Sequence, residues 1–241
     1  MRVAVIIPTY NEKENIIPLI HELTRISRIN KLNSAIFVVD DNSPDGTGDA
    51  VAELRIKNSE LRNKLHIIHR PKKEGLGKAY LEGFRTALKN GADFIITMDA
   101  DFSHNPKDIP RLLKKAKKYD VVVGSRYVDG GEMTGFDFFR RFISKGSISL
   151  ARLLLGLRTK DLTAGFKCYS RRFIKSLNSN EIASSGYAFQ VEVIKKVEKN
   201  NFSIIEIPIM FTPRKFGQSK LSWKEVLNST WALIKVTWNN K

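Results

Sequence analysis

One cysteine, Cys168, is all that the 241 residues contain. A lone thiol can close no internal disulfide, so reducing surroundings are its natural setting. The residue type favours a small buried hydrophobe over a nucleophile. Long apolar runs are scarce as well. Nowhere do about 18 uncharged apolar residues stand together, the length that a simple membrane-spanning helix needs. The opening MRVAVIIPTY turns polar too soon for a secretory h-region, and the chain is expected to be soluble or peripheral. Acid is also in short supply: 25 Asp and Glu against 41 Lys and Arg leave a formal net charge of +16. That surplus attracts polyanions, whether nucleic acid, an anionic membrane surface or phosphorylated substrates, and charge alone does not choose among them. Three familiar site signatures are missing. EGLGKA has Lys72 five before Gly77 and Ala79 after Lys78, so it is not a P-loop. No G-x-G-x-x-G follows the first apolar run, and no G-x-S-x-G elbow occurs.

What is present is a rhythm. Short Val- and Ile-rich runs recur at 3–7, 36–39, 65–68, 94–98 and 121–123, continuous rather than alternating, as in strands covered on both faces. Helical spacing of apolar residues fills 16–26, 51–56, 76–88 and 109–116. This β-α-β-α order predicts an α/β fold with a Rossmann-like, mostly parallel central sheet flanked by helices. Ligands of such sheets bind beyond the carboxyl ends of the strands. The segments there read PTYNE, DDNSPDGTG, RPKKEGLGKA, DADFSHNP and GSRYVDGG. Each carries turn formers; Asp45-Gly46 marks a turn, and Thr47 is expected to cap the next helix.

Beyond residue 131 the rhythm changes. Residues 140–175 hold ten Lys or Arg and a single acid, Asp161. Within them, 140–157 mixes leucines with cations. It reads equally as an interfacial helix or as a core helix with a solvated basic face. A last strand is expected over 204–211 and a terminal helix over 221–238, carrying Trp223, Trp231 and Trp238.

The chemistry centres on Asp99 and Asp101. At i and i+2 of an extended segment they point the same way, and two carboxylates that close share a proton or bind a cation. Oxygen ligands of this kind suit Mg²⁺ or Mn²⁺, with phosphate oxygens of a substrate completing the shell. His104 is a further candidate ligand, a helix-start or structural role being its alternative. A metal-assisted reaction of a nucleotide diphosphate is the chemistry left standing.

PTYNE, VVDDNSPDGT, GLGKA, MDADFSHNP, VGSRYV, DLTAGFKCYSR, GYAFQVE and PRKFGQSKL, in that order, resemble the dolichol-phosphate mannosyltransferase branch of the family 2 glycosyltransferases. The likeness runs from Val3 to Leu221. It implies a GT-A catalytic domain over 1–220, with 140–157 as an interfacial acceptor helix and 221–241 as a C-terminal helix without a membrane span. It implies metal-dependent, inverting transfer of mannose from GDP-mannose to dolichyl or another polyprenyl phosphate.

By motif position, the resemblance assigns Pro8, Tyr10, Glu12, Asp40, Asp41 and Lys78 to the nucleotide-sugar pocket and Asp99 and Asp101 to the metal. Ser103 stands where some relatives have Gln, so its hydroxyl, or a water, becomes the third ligand. Arg126, Arg140 and Ser144 match acceptor-phosphate positions. Arg214 and Lys220 match a loop that closes on the donor diphosphate, and Asp101, Arg126 and Arg214 become the catalytic set. The partners so implied are GDP-mannose, a polyprenyl phosphate, the anionic cytoplasmic face of a membrane and a membrane-embedded partner subunit. Two alternatives compete: a UDP-glucose-dependent or other family 2 transferase, and a non-enzymatic nucleic-acid binder. The latter has no use for the paired aspartates.

Overall fold

Successive residues of the apolar runs are buried on opposite faces of one sheet, which is what a continuous run of Val and Ile requires. The computed structural model describes residues 1–135, 138–177 and 187–217, with the side chains of 138–144 and 187 outside that set. The expected helix at 221–241, with Trp223, Trp231 and Trp238, lies outside the described residues, as does Lys220. Strands β1 (Arg2–Thr9), β2 (Asn33–Asp40), β3 (Leu65–His69), β4 (Phe94–Thr97) and β5 (Val121–Ser125) alternate with helices. These helices are α1 (Lys13–Ile29), α2 (Thr47–Lys57), α3 (Leu76–Lys89) and α4 (Ile109–Ala116). A two-residue strand β6 (Glu132–Met133) precedes α5 (Phe138–Leu155), β7 (Lys167–Ser170), α6 (Arg171–Ser176), α7 (Tyr187–Lys199), β8 (Ile204–Pro208) and β9 (Met210–Phe211).

Among the described residues, the main sheet has the order β3-β2-β1-β4-β7-β5-β8. Only β7 runs antiparallel to its neighbours, β4 and β5. The apolar run of 204–211 is divided between two sheets: β8 completes the main one beside β5, whereas β9 pairs with β6. Ile209 between them donates its N–H to the Ser125 carbonyl.

Alternation along each strand divides the core in two. Val3, Val5 and Ile7 pack with Ile16, Leu19, Ile20, Leu112 and Leu113 of α1 and α4. Ala4 and Ile6 pack on the other face with Tyr80 and Phe84 of α3 and with Phe189, Val193 and Val197 of α7. Gly83 is required by the closeness of that packing, since a Cβ there would stand 2.5 Å from a methyl of Ile6. Cys168 is fully buried in the α1/α4 face, and burial pushes its thiol pKa up, in keeping with a hydrophobe. The described side chains of α5 divide between core and surface. Ile148 and Ala151 join the core, while Leu150, Leu153 and Leu154 remain exposed.

The end of the sheet opposite the strands' carboxyl termini is pinned by Asp120. Its carboxylate accepts from Ser203 N–H and Oγ (3.0 and 2.8 Å), Ser170 Oγ (3.2 Å) and the Arg172 fork. Burial alone would raise its pKa, but the hydrogen bonds from Arg172 and Ser203 hold it down at about 2. Asp120→Ala should cost on the order of 2–3 kcal/mol, the scale of hydrogen bonds to a charged group, read as a lower denaturation midpoint. Because the folded pKa lies below the ordinary value of about 3.9, the contribution is present above about pH 4. It is lost as pH falls towards 2. The wild-type and variant midpoints should therefore converge across that window.

Candidate active site

All the strands deliver polar residues to one edge, and the direction of β7 extends the set. Because β7 is antiparallel, its beginning, not its end, lies beside the carboxyl ends of β4 and β5. The segment 161–166 therefore reaches the same edge as Asp99 and Arg126.

The β1 and β2 ends are knitted together. Asp40 accepts from Thr9 Oγ1 (2.9 Å) and from the N–H and hydroxyl of Ser43, and it is buried. It braces the turn, leaving Asp41 as the member of the pair set against another part of the pocket. Thr47 does not cap α2; the residue before the helix is Gly46, in the left-handed conformation with φ 78°. The Thr47 hydroxyl instead accepts the Glu12 N–H at 2.9 Å and donates to Asp45 at 2.6 Å. Asp45 also accepts the Lys13 N–H, so the two turns fix each other. Pro8, in β1, pairs in register with Val39, and the Tyr10 ring carries the Lys73 ammonium 4.2 Å from its centroid.

Asp41 meets the Arg70 guanidinium, and Arg70 also reaches Glu74, which takes Lys78 at 3.1 Å. Asp41 and Arg70 are both buried. Burial raises the Asp41 pKa, and Arg70 only partly offsets the rise. Lys78 stands at the exposed outer end of this chain of charges. Arg70 and Glu74 were not singled out from the sequence, although RPKKE lay in a loop assigned to the site.

Asp99 and Asp101 follow β4. The Asp101 carboxylate accepts the Ser103 N–H at 3.0 Å and Arg214 Nη2 at 3.1 Å. Arg214 Nη2 also lies 3.0 Å from Glu12 Oε1, so one guanidinium ties the PTYNE turn to the aspartate pair. Lys215 N–H donates to the Asp101 carbonyl. Asp99 keeps 41% of its side chain exposed. Loss of water on its inner side and repulsion by Asp101 push its pKa up to about 7. Burial would raise Asp101 as well, but the contacts from Ser103 and Arg214 hold it below the ordinary range. The pair thus behaves as two close carboxylates that resist double ionisation without a counter-cation.

The Ser103 hydroxyl is buried with no partner of hydrogen-bonding geometry, next to two carboxylates. These are hard oxygen donors and an orphaned polar atom, a set that fits Mg²⁺ or Mn²⁺. No cluster of three or more His, Cys, Asp or Glu that could hold a metal ion occurs among the described residues.

His104 is not placed as a ligand. It is 2% exposed, stacks on Phe166 and meets the edge of Phe211. Its Nδ1 accepts the Asp99 backbone N–H at 3.2 Å, which assigns the neutral ring with its proton on Nε2. Burial lowers its pKa to about 4. It shapes the turn that presents Asp99. Gly165 packs closely on the other side: a Cβ there would lie 3.2 Å from both Asp99 Oδ1 and His104 Cε1, which would have to give by a few tenths of an ångström.

Arg126, after β5, is forked onto Asp161 through Nε and Nη2 (2.8 and 2.7 Å) and donates to Thr163 Oγ1 (2.8 Å). The faces of Tyr127 and Phe211 flank it, with ring centroids 5.2 and 5.3 Å away. Arg140 and Ser144 belong to α5, but their side chains lie outside the described residues. The structure therefore brings together Glu12, Asp99, Asp101, Ser103, Arg214 and, through the β7 approach, Arg126. Asp161 and Thr163 were passed over as site residues because a lone acid in a basic tract carries no spacing signal.

The architecture is that of GT-A-like nucleotide-sugar transferases. A glucosyl-3-phosphoglycerate synthase from Mycobacterium tuberculosis, solved with Mn²⁺, UDP and phosphoglyceric acid, superposes with TM-score 0.67 at 16% identity, covering 98% of this chain and 77% of that one. A mannosyltransferase from Pyrobaculum calidifontis, solved with GDP-mannose and Mn²⁺, superposes with TM-score 0.60 at 17% identity, covering 100% and 65%. Residues 4–177 match the model of Glycosyl transferase family 2, and the chain belongs to that family. It is 40% identical over 228 residues to a polyprenol monophosphomannose synthase of Mycolicibacterium smegmatis, spanning 93% of this chain and 83% of the relative. It is 42% identical over 222 residues to an undecaprenyl-phosphate mannosyltransferase of Micrococcus luteus, spanning 92% and 88%.

Breaking a buried ion pair from one side leaves an uncompensated charge. Arg70→Met should therefore lower stability by about 3 kcal/mol, measured by chemical denaturation. The double variant Arg70→Met, Asp41→Asn should recover most of it.

Proposed function

We propose that the chain transfers mannose from GDP-mannose to the phosphate of a polyprenyl lipid, inverting the anomeric carbon and releasing GDP. The single observation that carries this reading is the meeting, at one sheet edge, of an aspartate pair in need of a cation with two arginines, Arg126 and Arg214. The names of the two close relatives supply the sugar and the lipid class, and the GDP-mannose held by the Pyrobaculum structure supplies the donor.

In this reading an oxygen of the lipid phosphate forms the new bond to mannose C1 while the bond from C1 to the diphosphate breaks. The electron pair leaves with GDP. With a second pKa of about 6, a phosphate monoester is already largely dianionic at neutral pH, so the attacking group needs no general base. A Mg²⁺ or Mn²⁺ ion held by Asp99, Asp101 and Ser103 would stabilise the charge growing on the departing diphosphate. Arg214, on its loop beside Asp101, is placed to add positive charge where that negative charge develops. Arg126, whose Nε and Nη2 are committed to Asp161 and Thr163, and Arg140 by motif position hold the acceptor phosphate through the permanent charge of the guanidinium. Asp41, Tyr10 and Lys78 line the nucleoside side, and Lys220 joins Arg214 on the donor loop.

The lipid reaches the site at a membrane surface. No helix of the described residues is long and apolar enough to cross a membrane. The exposed Leu150, Leu153 and Leu154 of α5, set among cations, give this segment an interfacial character. Each Lys or Arg near an anionic surface is worth about 1 kcal/mol. The chain thus works peripherally on the cytoplasmic face, alone or with a membrane-embedded partner.

A transfer assay with GDP-mannose or UDP-glucose, a polyprenyl phosphate and Mn²⁺ or Mg²⁺ tests the reading. Mannosyl-phosphate lipid from GDP-mannose is expected; product from UDP-glucose alone would overturn the sugar assignment. Asp101→Ala should remove metal-dependent turnover by at least about 100-fold, the scale of lost transition-state charge stabilisation, in a protein that still folds. Retained turnover would sink the metal site.

A further inference from the structure

The transfer reaction uses Arg126 but has no step for Asp161, an aspartate of 0% exposure that lies directly behind it. Three hydrogen bonds run from Arg126 to that one carboxylate: backbone N–H to Oδ2 at 3.0 Å, Nε to Oδ2 at 2.8 Å and Nη2 to Oδ1 at 2.7 Å. Main chain and guanidinium are thus tied to the same anion, which restricts the rotameric freedom of an otherwise flexible side chain. Burial raises the Asp161 pKa, but the Arg126 charge and hydrogen bonds outweigh it and hold the group ionised.

Asp161 is itself held from behind. Its N–H and that of Lys160 donate to the two oxygens of Glu206 in β8 (2.9 and 2.7 Å). The N–H groups of Arg158 and Thr159 donate to Glu198 of α7 (2.9 and 3.0 Å). Four successive backbone donors thus hang the 158–161 loop on two carboxylates. Beneath the loop, the fully buried Lys167 amine donates to the Ala164 carbonyl and to Gln190 Oε1. Burial lowers its pKa to about 7, against the opposing pull of Asp161. The last member of this frame is the carboxylate that grips Arg126.

We infer that Asp161 is a positioning residue for the acceptor subsite: it locks the Arg126 guanidinium in the orientation that receives a phosphate monoester. This rests on the acceptor role given to Arg126 in the proposed function. Asp161 is not a base in this scheme. Both its oxygens are engaged by Arg126, and the phosphate it would serve needs no deprotonation.

The test measures binding of citronellyl phosphate, a short water-soluble prenyl phosphate, and of GDP with Mn²⁺ by calorimetry, on wild type, Asp161→Asn, Arg126→Ala and the double variant. Asparagine keeps the shape but turns an amide N–H towards donors of Arg126, breaking the fork. Asp161→Asn should weaken citronellyl phosphate binding about tenfold to a hundredfold, the cost of misplacing one recognition group, and leave GDP binding unchanged. In the Arg126→Ala background it should add no further loss. Arg126→Ala alone, which leaves Asp161 buried and uncompensated, should unfold at lower denaturant than the double variant. Equal phosphate binding by Asp161→Asn and wild type, or an additive loss in the double variant, overturns the inference while leaving the acceptor reading intact. Failure of the wild type to bind citronellyl phosphate overturns the acceptor reading of Arg126, and this inference falls with it.

Discussion

Negative charge crowded at one edge of the sheet is the constraint to which the rest of the site answers. Glu12, Asp99, Asp101 and Asp161 all come to that edge because each follows or precedes a strand ending there, and a low-dielectric surrounding makes each uncompensated charge costly. Three of them are matched by two arginines of distant sequence: Arg214 lies against Glu12 and Asp101, and Arg126 against Asp161. The Asp99 carboxyl is left with a pKa of about 7. In the proposed function, a divalent cation and the polyanionic ligand that accompanies it would supply the missing positive charge.

The fold makes that crowding geometrically fixed. Turns after β1 and β2 are cross-braced by Thr9, Ser43, Asp45 and Thr47, so this side of the edge is built from groups that bond one another. The Arg126 side depends on the reversed strand β7, which delivers 161–166 between the ends of β4 and β5. Arg214 sits just beyond β9, whose bond to β6 directs the chain back over the aspartates. Thr212 N–H donates to the Ser103 carbonyl and Lys215 N–H to that of Asp101, so the loop bearing Arg214 lies along the aspartate segment itself.

Much of this was legible in the sequence where the signal is local. Strands β1 to β5 and helices α1 to α4 fall on the runs that periodicity marked, with ends displaced by a few residues, because burial on both faces leaves a continuous apolar signature. The aspartate pair was legible for the same reason, standing directly after such a run. Strand β7 was not: KCYS is four residues long and begins with a buried lysine, whose cost is offset by Gln190, the Ala164 carbonyl and the charge of Asp161 from elsewhere in the chain. The break of 204–211 into β8 and β9 was hidden because both halves are apolar and nothing local marks the change of partner. Thr47 looked like a helix cap by type, yet its hydroxyl serves the Glu12 N–H thirty-five residues away. His104 was left open between ligand and scaffold, and only its burial against Phe166 and Phe211 decides for scaffold. Arg70 and Asp161 join the site by contact, to Asp41 and Arg126, and contact between distant residues is what a single sequence does not display.

The central claim is that the edge carboxylates exist to hold a cation together with a nucleoside diphosphate. Calorimetric titration of the full chain with GDP, in the presence and absence of Mn²⁺, tests it most directly. The account predicts that Mn²⁺ strengthens GDP binding at least about tenfold, a difference of about 1.4 kcal/mol, and that Asp99→Asn abolishes the gain. Equal GDP affinity with and without the ion in the wild-type protein would contradict it.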